Sequence, residues 1–395
     1  MANEKLSAAK SAKNDEFYTQ YHDIEREVEA YLEYDADAFR NKTVLLPCDD
    51  PEWSNFTRYF AQNFERLGLK KLISTSYAYE SKRHRSPIQL SLFETEFETK
   101  APQYNPDKTK THGKIFVLTH DKTGDGRVDL DDLEWKYLDG DGDFRSKEVT
   151  QLRDEADIIV TNPPFSLFRD FFAWIIESGK RFIMIGNKNC VTYKEVFPYI
   201  KDNKLWSGRK EWTGGMWFKT MNPDDVDKVI DGVNMKNVPS IWLTNIEHGR
   251  RHQPLQLMTW DDNLRYSRHK EINGKPSYDH YDNYNAIEVP YTDAIPSDYE
   301  GIMGVPISFL DKYCPEQFEI LGATQRGCHD AVPDTKKYDD YWEMTQAGKP
   351  TGSSGNKTNE NANLVQNDGK KNYFINAQGH IIQSAYQSLF IRKKQ

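Results

Sequence analysis

The chain has 395 residues, 37% of them hydrophobic and 13% aromatic, which is enough for one large domain with additions or for two domains. Lys and Arg number 52 against 61 Asp and Glu, for a net charge of −9. There is thus no global pull toward nucleic acid, and any such contact needs its cations gathered on one face. The four cysteines (Cys48, Cys190, Cys314, Cys328) lie far apart, which excludes a clustered zinc site and fits reduced thiols in a cytoplasmic protein. The N-terminus lacks an apolar stretch and no window of about 18 apolar residues occurs, so neither a secretory signal nor a membrane span is expected.

In chain order, KTVLLP (Lys42 to Pro47) reads as a buried strand. From Pro51 to Leu67, Trp53, Phe56, Tyr59, Phe60, Phe64 and Leu67 recur at helical spacing, with Gly68 as the stop. KLISTSY (Lys71 to Tyr77) is a second strand, and Ser81 to Lys114 is polar and irregular, the mark of an insertion. ADIIV (Ala156 to Val160) and RFIMIG (Arg181 to Gly186) are later strands, separated by a helix from Ser166 to Ser178 that stops at Gly179. Leu205 to Asn237 has the Gly and Trp content of a loop or hairpin region, and VPSIWLTNI (Val238 to Ile246) is another strand. Strand, helix, strand in this rhythm predicts an α/β fold with a doubly wound, mostly parallel sheet. After about Glu247 the composition shifts toward Arg, His and Tyr, so a first domain over 1–246 and a second region over 247–395 are expected, the latter with a flexible loop near 346–363.

The most informative stretch is DIIVTNPPFSLFRDFF (Asp157 to Phe172). Ligands of open α/β sheets sit beyond the carboxyl ends of strands, where Asn162 would stand. Pro163 and Pro164 fix the turn and contribute no N–H donors, leaving carbonyls as acceptors. The Asn162 side chain offers another acceptor, and Phe165 a flat face. Two acceptors and a ring describe a clamp for an exocyclic amine on a nucleobase. Such a clamp localises the amine lone pair for attack on a methyl donor, and a base in a duplex must first be flipped out. The plainer alternative is a strand-to-helix turn in which Asn, Pro and Ser serve as caps.

With these residues in view, the sequence resembles the EcoRI-type adenine-specific DNA methyltransferases. The resemblance runs in order through KNDEFYTQYHDIE (Lys13 to Glu25), CDDPEWSNF (Cys48 to Phe56), GDGDFRS (Gly140 to Ser146), TNPPFSLFRD (Thr161 to Asp170), TYKEVF (Thr192 to Phe197), YDNYNAI (Tyr281 to Ile287) and GIMGVPISFL (Gly301 to Leu310). It implies S-adenosylmethionine as cofactor and Asn162, Pro163, Pro164 and Phe165 as the catalytic corner. Phe17, Tyr18 and Thr19 would pack on the methionine part of the cofactor. Asp49, Asp50 and Pro51 would meet its amino-acid end, Glu80 its ribose, and Asp143 and Phe144 its adenine. The loop PCDDPEWSN lacks the glycines of most methyltransferases, and capping of the following helix is the other role for Asp49 and Asp50. Gln20 stands where related methyltransferases often have Pro.

The expected activity is therefore sequence-specific methylation of the adenine 6-amino group in double-stranded DNA, by a monomer, with the C-terminal region carrying target recognition and a cognate restriction enzyme as a conceivable partner. Arg250 and Arg251 in HGRRH, with Arg265 and Arg268, are candidate phosphate contacts. Trp217 is a candidate for touching the flipped base or filling its gap, against core packing as the commoner fate of Trp. Asp121 to Asp132 matches much of a calcium loop, but its strand-like flanks favour a hairpin turn. No metal is expected. The alternatives are a non-catalytic binding protein, whether a calcium module or a methyltransferase-like DNA binder, or a methyltransferase acting on RNA or protein glutamine.

Overall fold

The computed structural model describes residues 18–52, 54–78, 102–120, 134–220, 225–324, 335–352, 361–366, 372–384 and 388–394. Phe17, Trp53, Glu80, the Asp121 to Asp132 segment, most of the 81–114 insertion and the centre of the 346–363 loop lie outside the described residues. Two compact units form, one from Met1–Lys188 with Ser207–Arg250, the other from Asn189–Trp206 with Arg251–Gln395. The expected division at 246/247 runs close to the second boundary, but Asn189–Trp206 goes with the later residues.

The first unit holds an eight-stranded sheet and a four-stranded one. Its strands are β1 (Tyr18–Thr19), β2 (Thr43–Leu46), β3 (Lys71–Thr75), β4 (Lys114–Leu118), β5 (Trp135–Tyr137), β6 (Ile158–Thr161), β7 (Arg181–Asn187), β9 (Met216–Lys219), β10 (Lys228–Ile230), β11 (Val233–Val238) and β12 (Ser240–Thr244), together with Ser207 of the two-residue β8 (Trp206–Ser207), which straddles the unit boundary. The large sheet has the order β5-β4-β3-β2-β6-β7-β12-β8. Its centre is parallel: β2 pairs with β3 and β6, and β6 with β7. TVLL and IIVT are buried at every position, as two-faced coverage of a parallel strand demands.

Outside that centre the sheet is mixed, which corrects the expectation of a mostly parallel one. β4 is antiparallel to β3, β5 to β4 and β12 to β7. The reason is where the chain re-enters. Ile115 pairs with Thr75, the last residue of β3, and Ser240 pairs with Asn187, the last residue of β7. Both strands start at the carboxyl edge of their neighbour, so they can only run back.

The helices differ in detail from their sequence periodicity. The helical stretch expected from Pro51 begins at Asn55, capped by Ser54, whose Oγ accepts from Phe56 N at 3.1 Å. It breaks at Asn63, whose side chain donates to the Tyr59 carbonyl at 2.9 Å, and resumes from Phe64 to Leu67. Gly68 and Gly179 close their helices in the left-handed conformation. The helix Tyr21–Tyr34 contributes Ile24, Val28 and Tyr31 to a core that includes Phe56, Tyr59, Phe60, Val44, Leu46, Val160 and Ile185. On neighbouring strand positions, whose side chains point the other way, Phe182 meets Phe172 of the helix Phe168–Ser178 at 6.4 Å. The 205–237 region is sheet: β9, β11 and β10 join β1 in the order β1-β9-β11-β10.

The second unit contains a five-stranded sheet of order β13-β14-β15-β21-β16, built from β13 (Asp279–His280), β14 (Ala286–Glu288), β15 (Ile302–Pro306), β16 (Phe318–Ala323) and β21 (Ser388–Lys393). A four-stranded antiparallel sheet of order β17-β19-β20-β18 uses β17 (Tyr341–Met344), β18 (Asn363–Gln366), β19 (Tyr373–Asn376) and β20 (Ile381–Ser384). Residues 346–352 of the loop near 346–363 form a tight return, with Met344 bridged to Pro350.

Candidate active site

Strand order places a switch point between β2 and β6. The chain goes from β2 to β3 on one side and returns to β6 on the other. At such a point the loops at the carboxyl ends of the two strands part and leave a crevice. The loop after β2 is Pro47 to Ser54, and the one after β6 begins at Asn162.

β6 ends where two prolines remove the donors a ladder needs. The Pro164 carbonyl accepts from Leu167 N at 2.9 Å and starts a 3₁₀ turn, Phe165–Leu167, that leads into the helix Phe168–Ser178. Pro163 is buried, while Asn162, Pro164 and Phe165 are half-buried. Phe165 lies against the edge of the main core. The Asn162 amide donates from Nδ2 to Thr19 Oγ1 at 3.2 Å, across 143 residues of sequence.

Tyr18 and Thr19 reach this place as β1, paired with β9 so that Thr19 faces Phe218 and Tyr18 faces Lys219. Asn55 Nδ2 donates to the Thr19 carbonyl at 2.8 Å, and Gln20 Nε2 donates to the Trp217 carbonyl at 2.8 Å. Trp217 is half-buried within β9, and Trp212 is buried. The structure therefore brings the N-terminal segment, the Asn162 corner and the start of the Asn55–Gln62 helix together.

The loop after β2 is acidic and closed to solvent. Asp49 is 6% exposed and Asp50 7%. Neither caps the helix, because Ser54 does so. Ser54 Oγ donates to Asp49 Oδ1 at 2.7 Å, and Asp50 Oδ1 accepts from Glu52 N at 2.9 Å. Asp49 Oδ2 is buried and has no hydrogen-bond partner among the described residues. Burial, with a smaller push from the Asp50 charge and against the Ser54 hydrogen bond, raises the Asp49 pKa to about 7. Lys114 answers the remaining charge. Its ammonium bonds Glu52, lies 3.7 Å from Asp50 and sits 4.7 Å from the centre of a Trp135 ring. Sequence reasoning missed Lys114 and Glu52, since a partner some 62 residues away leaves no periodic trace.

The loop 139–144 runs beside the end of β3, with Ala78 N donating to the Asp141 carbonyl at 2.7 Å. The Asp143 carboxylate accepts from Arg145 Nε at 2.9 Å and Nη2 at 2.7 Å. Phe144 is 5% exposed and its ring packs on Phe171 at 4.4 Å and Trp174 at 5.6 Å.

The candidate DNA contacts separate by exposure. Arg265 and Arg268 are exposed, and Arg268 pairs with Asp293 at 2.8 Å. Arg250 donates to the carbonyls of Gly208 and Arg209. Arg251 is 5% exposed, stacks 3.7 Å from the Trp206 ring centre and bonds Asn203. Its guanidinium packs the second unit internally, so it cannot serve as a surface phosphate contact without leaving that place.

No group of three or more His, Cys, Asp or Glu able to hold a metal occurs among the described residues, and no described helix is long and apolar enough to cross a membrane. The family model described as adenine-specific methyltransferase EcoRI matches residues 5–394. The Type II methyltransferase M.EcoRI of Escherichia coli is 39% identical over 327 residues, covering 81% of this chain and 89% of that protein. The Type II methyltransferases M.MpnI of Mycoplasma pneumoniae and M.MgeORF184P of Mycoplasma genitalium are 34% and 33% identical over 323 residues each, covering 84% and 85% of those proteins. No solved structure matches the chain. A match over nearly the whole length defines an adenine-specific DNA methyltransferase of mixed α/β architecture. The chain belongs to the EcoRI adenine-specific methyltransferase family.

Proposed function

We propose that the Asn162–Phe165 corner grips the 6-amino group of an adenine flipped out of duplex DNA. The observation that carries this reading is the meeting of three sequence-distant segments beside one switch point: the corner after β6, the Tyr18–Thr19 strand, and the start of the helix that follows the acidic loop after β2. Asn162 Oδ1 and the Pro163 carbonyl are the acceptors, because the Pro164 carbonyl is already engaged by Leu167. Two acceptors on one amine draw it toward tetrahedral geometry and localise its lone pair. Phe165 holds the ring plane, and the rigid prolines keep the acceptors aligned without reorganisation.

The crevice fits S-adenosylmethionine. That cofactor carries an ammonium, and the buried, unpartnered Asp49 Oδ2 is the acceptor such a group needs. Asp49, Asp50 and Pro51 would hold its amino-acid end, with Phe17, Tyr18 and Thr19 alongside, and Asp143, Phe144 and Glu80 toward its adenosine. When bound, the cofactor supplies an electrophilic methyl group. We read the first unit as a doubly wound methyltransferase domain and the second as the target-recognition region, with Arg250, Arg265 and Arg268 meeting phosphates and Trp217 touching the flipped base or filling its gap. A cognate restriction endonuclease is the partner to look for.

Purified protein with labelled S-adenosylmethionine is expected to methylate unmethylated genomic DNA at adenine. Asn162→Ala and Phe165→Ala should each lower the rate at least about 100-fold with the melting temperature preserved. Transfer to RNA or to a protein glutamine, with none to DNA, would overturn the reading.

A further inference from the structure

We propose that Thr19 is a positioning residue, whose hydroxyl holds the Asn162 amide in the orientation that turns the side-chain carbonyl toward the adenine amine. This rests on Asn162 being the amine clamp. An asparagine amide has two faces that are nearly equal in shape and opposite in chemistry: the carbonyl accepts and the NH2 donates. The terminal torsion is broad and close to two-fold, so sterics alone choose poorly between them. A flipped amide would aim donors at an amine that itself donates, and the clamp would lose an acceptor.

A fixed partner breaks this symmetry, and Pro163 and Pro164 have no N–H to offer the carbonyl side. Thr19 Oγ1, 3.2 Å from Asn162 Nδ2, supplies an acceptor for the NH2 side. With Nδ2 turned to Thr19, Oδ1 is turned to the opposite side of the amide plane's axis. The hydroxyl is itself well placed. Thr19 is 4% exposed, its side chain is β-branched and stiff, and its backbone is fixed by pairing to Phe218 and by the Asn55 hydrogen bond to its carbonyl. Gln20, tied to the Trp217 carbonyl, secures the same strand one residue on. The clamp is thus held in part by a strand from the N-terminal end of the described chain.

Thr19→Val keeps the shape and removes the oxygen; Thr19→Ser keeps the oxygen. Single-turnover methyl transfer to unmethylated genomic DNA, with cofactor affinity from calorimetry, separates positioning from cofactor contact. The expected result is a transfer step slowed about tenfold in Thr19→Val, as loss of one hydrogen bond predicts. Its cofactor Kd should stay within about twofold, and Thr19→Ser should restore the rate. Should the Val variant lose its cooperative melt, Thr19→Ala carries the same comparison against Ser. Weakened cofactor binding with an unchanged transfer rate would overturn the inference and make the Thr19 hydroxyl a hydrogen-bonding partner of the cofactor instead of the Asn162 amide. Unchanged rate and affinity would overturn it as well. A wild-type chain that is active on DNA while Asn162→Ala remains active would instead overturn the clamp itself.

Discussion

A Cβ placed on Gly208 would lie 1.9 Å from Glu27 Oε1 and 2.6 Å from the Trp242 Cβ. Only hydrogen fits, because a buried carboxylate occupies the space. Glu27 is 1% exposed and accepts from Arg209 N at 2.8 Å, Lys210 N at 3.3 Å and Tyr31 Oη at 2.8 Å. Burial raises its pKa, and the two backbone N–H groups and Tyr31 oppose that rise. The carboxylate thereby fastens the 207–210 turn to the helix Tyr21–Tyr34. Gly208→Ala must displace it, at an expected cost of about 1–3 kcal/mol. A shift of the urea midpoint at constant slope would report this; an unchanged midpoint would show that the turn gives way freely. Neither Gly208 nor Glu27 was legible beforehand, because their relation exists only once the turn and the helix meet across some 182 residues.

At the scale of elements, what was readable is what burial and local chemistry dictate. The apolar runs TVLL, IIVT and RFIMIG appear as strands within a residue or two of expectation, and Gly68 and Gly179 stop their helices. Strand direction was not readable, since an alternating or continuous apolar run is the same forwards and backwards. The start of the Asn55 helix was missed for a related reason. The aromatics keep helical spacing through the Pro51 to Ser54 turn, but Ser54 is the residue that can accept from the first free N–H groups. That turn has a pH signature. Asp49 titrates near 3.8 when unperturbed and at about 7 when folded. The folded state therefore holds a proton that the unfolded chain has released between those values. The stabilisation is complete below about pH 4 and is lost as pH rises through about 7. Thermal melts are expected to show a falling melting temperature from about pH 4 to about pH 7, and Asp49→Asn should flatten part of that slope. Glu27 contributes with the same sign, so some slope should remain. A slope identical in the variant would show that Asp49 is ionised throughout.

Across the whole molecule the difficulty is charge. A chain of net charge −9 must present local cations to a polyanion. Composition located the Arg-rich region after Glu247 but could not say which guanidiniums face water, since burial depends on partners such as Trp206 and Asn203 that lie elsewhere in the sequence. Within 260–270 the exposed cations are Arg265, Arg268 and Lys270, beside Tyr266, which is 70% exposed. Arg268 must exchange Asp293 for a phosphate, whereas Arg265 belongs to the last turn of the helix Trp260–Tyr266 and its exposed head needs no such exchange from a described ion pair. Arg265→Ala is therefore expected to weaken DNA binding and to reduce the slope of log affinity against log salt by about one unit, while the cofactor Kd is unchanged. Arg251→Ala should act differently, lowering stability through the lost stack on Trp206 and leaving the salt slope intact. Fluorescence anisotropy with labelled duplex at several salt concentrations distinguishes the two. If Arg251→Ala reduced the slope while Arg265→Ala did not, DNA would have to meet the second unit on the side where Trp206 is now covered, and the recognition surface would need to be redrawn around it.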